Sequence, residues 1–148
     1  MTHLYQHILV GVDGSKESEA ALYKAIHIAL NNKAPLSICH VVDTRLLQSV
    51  TAFDDPVYSN LESEAKELVK GYATEARDKG VTEVKEIVEF GSPKNLLAHD
   101  LPTKEKADLI VLGATGNNAF ERLLIGSCSQ YLMHHAKVDL LIVRDHDK

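Results

Sequence analysis

The chain has 148 residues, of which 45% are hydrophobic and 25% are charged, a mixture that excludes a disordered or fibrous protein. Its length suits one domain spanning residues 1–148. The formal net charge is −5, and no long run of Lys and Arg is present, which argues against nucleic-acid binding through phosphate neutralisation.

Apolar runs and amphipathic stretches alternate along the chain. Strands are predicted at residues 7–12, 35–42, 84–89, 107–112 and 140–144, and helices at 15–32, 58–79, from Pro93 onward, and at about 127–136. Residues 43–57 have no clear period and contain Pro56, which is typical of a functional or mobile loop. The order predicts a doubly wound α/β domain, with a five-stranded parallel sheet covered by helices on both faces.

The apolar runs are much shorter than the ~20 residues that a membrane span needs. Residues 1–6 contain no basic-then-apolar leader, so no signal peptide is expected. Cys39 and Cys128 lack CxxC spacing and are typical of reduced thiols. These features together predict a cytoplasmic protein without a membrane segment.

Candidate ligand-binding residues follow three of the predicted strands. In an open α/β sheet, ligands bind beyond the carboxyl ends of the strands, which here are followed by Asp13–Ser15, Val41–Thr44 and Gly113–Gly116. The pair Gly113 and Gly116 lets the backbone approach a ligand. A Gly126-Ser127-Cys128-Ser129 run then opens a helix, where backbone N–H groups and hydroxyls can bind phosphate.

Each of these motifs also has a purely structural interpretation. Ser127-x-x-Gln130 is a capping box, Gly113 and Gly116 could be ordinary turn glycines, and Asp13 could form only an Asx-turn. Because all of them fall at one predicted sheet edge, a nucleotide site is the better interpretation.

Other motifs of nucleotide-binding and hydrolytic enzymes are absent from the sequence. It has no GxxxxGK[ST], no GxGxxG after the first strand, no GxSxG and no HExxH. The histidines are scattered, and the adjacent His134 and His135 would point in different directions on a helix, so no metal site is predicted from them.

Several segments together resemble the universal stress protein family over nearly the whole chain. They are HILVGVDGS, CHVVD, GSPKNLLAH, ADLIVLGATG and the spacing Gly113-x2-Gly116-x9-Gly126-Ser127-Cys128-Ser129. This spacing is similar to the signature of the ATP-binding members. The resemblance implies a fold like that of the adenine nucleotide α-hydrolases and ATP as ligand, with Mg²⁺ or Mn²⁺.

The resemblance also implies roles for individual residues. Asp13 would lie by the ribose and phosphates, Val41 would contact adenine through its backbone, and the hydroxyls of Ser127 and Ser129 would bind phosphate oxygens. The full implied set is Val12, Asp13, Val41, Leu112, Gly113, Gly116, Gly126, Ser127, Cys128 and Ser129. Ala114 and Thr115 replace the Ser and the basic residue or His that the family often has, and Asp139 replaces its usual Pro.

Family members form homodimers through the last strand, here Leu140 to Val143. This strand would be an apolar edge, and pairing two copies would bury its four apolar side chains. The leading hypothesis is a cytoplasmic, homodimeric ATP-binding regulatory protein of the stress response. No general base or arginine finger is evident, but a slow ATPase or autophosphorylating enzyme using Asp13, and a partner-binding dimer without nucleotide, remain alternatives.

Overall fold

The computed structural model describes residues 4–47, 55–115 and 126–145. Its strands are β1 (Ile8–Gly11), β2 (Leu36–Asp43), β3 (Val84–Gly91), β4 (Leu109–Gly113) and β5 (Asp139–Val143). Its helices are α1 (Lys16–Asn32), α2 (Asp55–Asp78), α3 (Pro93–Asn95), α4 (Leu101–Glu105) and α5 (Ser127–His135), with a 3₁₀ turn at Thr44–Leu47 and a π-helical turn at Leu96–Asp100.

All five strands are parallel and lie in the order β3-β2-β1-β4-β5. Side chains alternate between the two faces of each strand. In β1, Ile8 and Val10 pack under α1 and α2, whereas Leu9 packs on the opposite face with Leu132 of α5 and Leu101 of α4. The predicted α/β fold, with a parallel sheet covered on both faces, is confirmed.

The start of α2 differs from the prediction. The helix begins at Asp55, not at residue 58, and Pro56 lies in its first turn. Proline is tolerated there because the N–H that it lacks would have no partner inside the helix. Of the predicted loop 43–57, residues 48–54 lie outside the described residues, so its proposed mobility stays a prediction.

A π-helical turn joins α3 to α4. The N–H of Leu101 donates to the carbonyl of Leu96, one residue further back than in an α-helix. Pro102 follows directly. A proline inside an α-helix has no N–H to donate to the carbonyl four residues back, and its ring collides with that carbonyl, which here belongs to Ala98. The wider turn therefore accommodates Pro102 without ending the helical path.

The two edge strands differ in chemistry. On β3, Lys85 forms an ion pair with Glu105 at 2.9 Å, and Glu86 forms one with Arg77 at 3.1 Å. Charged side chains on an edge strand disfavour pairing with another sheet. The β3 edge is therefore a charged one.

The β5 edge is apolar, as predicted, but fewer of its apolar side chains are fully exposed than expected. Leu140 and Leu141 already pack against the cores on opposite faces of the sheet, and Val143 is buried. Ile142 is half-buried. Of the four side chains that pairing was expected to bury, Val143 is therefore already buried by the rest of the chain, and the other three remain partly exposed.

Within the residues that the structure describes, none of the helices has both the length and the apolar character required to cross a membrane.

Candidate nucleotide-binding site

The sheet order places the ends of β1, β2 and β4 side by side. Strands β2 and β3 extend from β1 in one direction, and β4 and β5 extend in the other. The strand order therefore reverses between β1 and β4, and such a reversal opens a crevice at the carboxyl ends of the strands. The loop that carries Asp13 and the end of β4 at Gly113 flank this crevice.

The loop after β1 is fixed by its own hydrogen bonds. Asp13 Oδ1 accepts from the backbone N–H of Ser15 at 2.9 Å, and Ser15 Oγ accepts from the N–H of Ser18 at 3.2 Å as the N-cap of α1. Gly14 has a φ of 84°, in the left-handed region that favours glycine. Asp13 therefore does form the Asx-turn, and this turn holds its carboxyl group at the sheet edge.

The end of β2 presents backbone groups beyond the end of β1. The carbonyl of Pro35 accepts from the N–H of Ile8 at 3.1 Å, and the carbonyl of Cys39 accepts from the N–H of Val12 at 2.8 Å. Because carbonyl direction alternates along a strand, the carbonyl of Val41 points to the same side, past the last residue of β1. His40 Nδ1 donates to the carbonyl of Val12 at 2.7 Å, which fixes the end of β1 against β2.

Three of the predicted site residues have core side chains. Val12, Val41 and Leu112 are 4%, 9% and 5% exposed and pack in the two cores flanking the sheet. They can therefore meet a ligand chiefly through their backbones, as the resemblance implied for Val41.

Helix α5 begins without a side-chain cap. Gly126 is the N-cap, and its N–H donates to the carbonyl of Ala114 at 2.7 Å. Ser127, which is exposed, is already the first helical residue. The capping-box interpretation of Ser127 is therefore wrong. Helix geometry leaves the N–H groups of Ser127, Cys128 and Ser129 without acceptors in the helix.

The hydroxyl of Ser129 has a different partner from the one expected. Ser129 is 3% exposed, and its Oγ donates to the carbonyl of Gly113 at 2.9 Å. A hydroxyl has one proton, so in this arrangement it cannot also donate to a phosphate oxygen. Ser129 ties α5 to β4. Of the predicted phosphate donors, this leaves Ser127 Oγ and the backbone N–H groups at the start of α5 as candidates.

The charges around Cys128 connect the loop after β1 with the start of α5. Burial is the main cause that raises the pKa of the Cys128 thiol to about 11, with the negative charge of Asp13 acting in the same direction and Lys94 in the opposite one. Burial likewise raises the pKa of Cys39 to about 12. Both thiols are therefore protonated at neutral pH, and Asp13, Lys94 and Cys128 share one region.

Gly113 is needed for packing of α1, which differs from the predicted reason. A Cβ atom there would lie 2.7 Å from the carbonyl carbon and 2.8 Å from the carbonyl oxygen of Glu17. The missing side chain therefore makes room for the first turn of α1, and the predicted role of Gly113 at a ligand stays a prediction. Gly116 lies outside the described residues.

We expect Gly113→Ala to lower the free energy of unfolding by about 1–3 kcal/mol, since overpacking against backbone forces the helix or the strand to move. Urea denaturation measures this change. Gly71→Ala is the matched control, because nothing lies within 4 Å of its added Cβ on α2, and replacing glycine inside a helix stabilises by roughly 0.5–1 kcal/mol. Equal stability of Gly113→Ala and the wild type would contradict the packing role.

Two residues near the site were not singled out from the sequence as site residues. Thr115 Oγ1 donates to Glu17 Oε1 at 2.9 Å, and Glu17 Oε2 accepts from the backbone N–H of Asp145 at 2.5 Å. In the sequence, Glu17 belongs only to the polar face of a helix, and Thr115 is noticeable only as a departure from the family pattern.

The sequence matches a known protein family over most of its length. The sequence model of the Universal stress protein family matches residues 4–144. The chain belongs to the universal stress protein family. A putative universal stress protein from Staphylococcus haemolyticus (strain JCSC1435) is 41% identical over 140 residues, covering 95% of this chain and 85% of that one.

Solved structures of universal stress proteins share the fold. The protein UspA from Lactobacillus plantarum is 30% identical with a TM-score of 0.82, covering 97% of this chain and 100% of that one. The hypothetical protein MJ0577 is 25% identical with a TM-score of 0.87, covering 99% and 100%. A universal stress protein solved in complex with cAMP is 28% identical with a TM-score of 0.70, covering 96% and 98%.

Proposed function

We propose that this universal stress protein binds ATP at the carboxyl edge of its sheet and acts as a cytoplasmic regulatory protein of the stress response. The observation that carries the proposal is the uncapped start of α5, which is held by Ala114 at the point where strand order reverses. A relative of the same family binds cAMP, and this supports an adenine nucleotide as the ligand.

Phosphate groups fit the start of α5. The N–H groups of Ser127, Cys128 and Ser129 lack acceptors inside the helix, and the positive end of the helix dipole lies at the same place. The exposed Ser127 can add its hydroxyl. Because these donors are neutral, a protein of net charge −5 can still bind a triphosphate.

Adenine fits the end of β2. The carbonyl of Val41 faces the β1 side beyond the end of that strand, where it can accept from the adenine N6 amino group. The N–H of Val41 points to the same side as its carbonyl, as in any parallel strand, and can donate to a ring nitrogen. The two backbone groups together favour adenine over guanine, which carries a carbonyl oxygen at position 6.

A divalent cation would be held by Asp13 together with the phosphates. Mg²⁺ prefers oxygen ligands and is bound in many proteins by one or two carboxylates plus substrate phosphates. Among the described residues, no group of three or more His, Cys, Asp and Glu side chains is arranged to hold a metal without help. A cation at Asp13 would therefore depend on bound nucleotide and would offset the repulsion between carboxylate and phosphate.

The β5 edge suits a homodimer. It is an apolar edge strand whose half-buried Ile142 lies near its end, and antiparallel pairing of two copies would satisfy its free backbone groups. We propose this strand as the dimer contact.

Calorimetry with ATP, GTP and cAMP in the presence of Mg²⁺ tests the nucleotide proposal. ATP is expected to bind about tenfold more tightly than GTP, because the Val41 carbonyl disfavours the guanine oxygen and one weakened hydrogen bond is worth about 1.4 kcal/mol. ATP should also exceed cAMP, because cAMP presents only one phosphate to α5. Absence of ATP binding would refute the proposal.

The nucleotide released when the purified protein is denatured gives a second measurement. Bound ATP supports a regulatory protein, whereas ADP formed on incubation with ATP supports the slow ATPase instead.

A further inference from the structure

The carboxylate of Glu17 joins two segments that are distant in sequence. Oε1 accepts from the Thr115 hydroxyl, in the loop after β4, and Oε2 accepts from the backbone N–H of Asp145, just beyond β5. Between these bonds, the N–H of Ala114 donates to the carbonyl of Val143 at 2.8 Å. The loop after β4 and the end of β5 are therefore held together, and one side chain of α1 bridges them.

The hydrogen bonds of this bridge are strengthened by partial burial and by the charge of Glu17. Thr115 is 9% exposed and Glu17 is half-buried. Hydrogen bonds to an ionised group are about twice as strong as those between neutral groups. Each oxygen of the Glu17 carboxylate has its own donor. Displacing either donor therefore moves the carboxylate, which the other segment also contacts.

We propose that Glu17 is a positioning residue that couples nucleotide binding at the loop after β4 to the position of the β5 end. The inference rests on the proposed function, since it assumes that ATP contacts this loop. Coupling between two sites is reciprocal. Nucleotide binding therefore alters the order of the β5 end, and whatever binds that end alters nucleotide affinity.

A simpler role for Glu17 is stabilisation of α1 by its charge. An acidic residue in the first turn of a helix interacts favourably with the positive end of the helix dipole. Glu19 lies in the same turn but accepts from the Tyr72 hydroxyl at 2.9 Å. Glu19→Ala therefore removes the same kind of charge without touching either bridged segment, and it serves as the matched control.

The first experiment needs no nucleotide. Amide hydrogen exchange of Asp145 is measured in Thr115→Val and Thr115→Ser. Valine removes the hydroxyl that donates to Glu17 Oε1. The carboxylate is then held by one partner fewer, so its bond through Oε2 to the Asp145 amide should open more often. That amide is therefore expected to exchange several-fold faster. Serine keeps the hydroxyl and is expected to restore slow exchange. Unchanged exchange in Thr115→Val would overturn the coupling, whether or not ATP binds.

The second experiment adds ATP. In the wild type, ATP is expected to slow exchange of the Asp145 amide. Glu17→Ala is expected to lower ATP affinity about tenfold, which corresponds to the ~1.4 kcal/mol of one weakened contact, and to abolish the response at Asp145. Glu17→Gln should keep most of the wild-type affinity and the response at Asp145, because its carboxamide oxygen can accept from Asp145 while its amino group donates to Thr115 Oγ1, although both bonds are weaker without the charge.

The variants separate the possible failures. If Glu17→Gln behaves like Glu17→Ala, the charge and not the bridge matters, and the inference is wrong. If Glu19→Ala loses ATP affinity as much as Glu17→Ala does, the effect belongs to the helix as a whole, and the inference is again wrong. If the wild type binds no ATP, the proposed function is wrong, and so is the proposed effect of nucleotide on the β5 end. The exchange rate of the Asp145 amide in Thr115→Val still decides whether Thr115 and Asp145 are coupled through Glu17.

Discussion

Gly126→Val is expected to weaken ATP binding about a hundredfold while leaving the fold intact. Gly126 has φ −63° and ψ 160°, which is extended backbone that any residue adopts, and its N–H to Ala114 is kept. The valine side chain would instead stand where phosphate approaches α5. Losing two hydrogen bonds to a charged group costs roughly 3 kcal/mol, and each 1.4 kcal/mol is about tenfold in affinity.

Calorimetry measures this loss, and circular dichroism with urea denaturation monitors the fold. Gly113→Ala is the contrasting variant, because its effect is expected on stability first. A natively folded Gly126→Val protein that binds ATP as tightly as the wild type would show that the start of α5 does not bind phosphate.

Ile142→Asp is expected to shift the proposed dimer strongly to monomer. Burying an exposed isoleucine side chain contributes about 1.5–3 kcal/mol. Because Ile142 is already half-buried, about half of this is gained per copy, and a two-fold axis counts it twice, so the dissociation constant should rise roughly tenfold to a hundredfold. The substituted carboxylates would also repel each other across the interface. Light scattering over a range of protein concentrations measures the shift.

Leu30→Asp is the control for this variant. Leu30 is 37% exposed near the end of α1, so it tests whether any acidic substitution on an exposed apolar position dissociates the protein. A wild-type monomer at concentrations on the order of tens of micromolar, where a standard-sized interface would hold a dimer, or an Ile142→Asp dimer of unchanged affinity, would contradict pairing through β5.

The fold could be predicted because local signals agree along the chain. Continuous apolar runs mark β1 and β4, and α1, predicted from residue 15, has Ser15 as its N-cap in the structure. Boundaries failed where one residue has two roles. Pro56 was assigned to the loop 43–57 but lies in the first turn of α2, and the path of residues 93–105 depends on how a helix accommodates Pro102.

The site could be predicted only in outline. Sequence spacing placed Asp13, Gly113 and Gly126 at one sheet edge, because carboxyl ends of parallel strands meet there. It could not reveal that Gly113 accommodates α1 or that the Ser129 proton belongs to Gly113, since both depend on packing between distant elements. The bond from Asp145 to Glu17 spans 128 positions, and no local pattern encodes it.

Two departures from the family pattern acquire partners in the structure. Thr115 donates to Glu17, and Asp139 accepts from the Tyr5 hydroxyl at 2.6 Å. This hydrogen bond is the main cause that raises the pKa of the Tyr5 phenol. The substitutions are therefore part of how this chain holds its own loop and its last strand.

The unlike edges of the sheet determine how far association can proceed. A sheet with two apolar edges could add copies at both and grow into a filament, because each added copy would present a new open edge. Here the ion pairs of Lys85 and Glu86 cover the β3 side, and only β5 offers an apolar edge. In the proposed dimer, pairing through β5 would leave only the two charged β3 edges open, so growth would end at a closed pair.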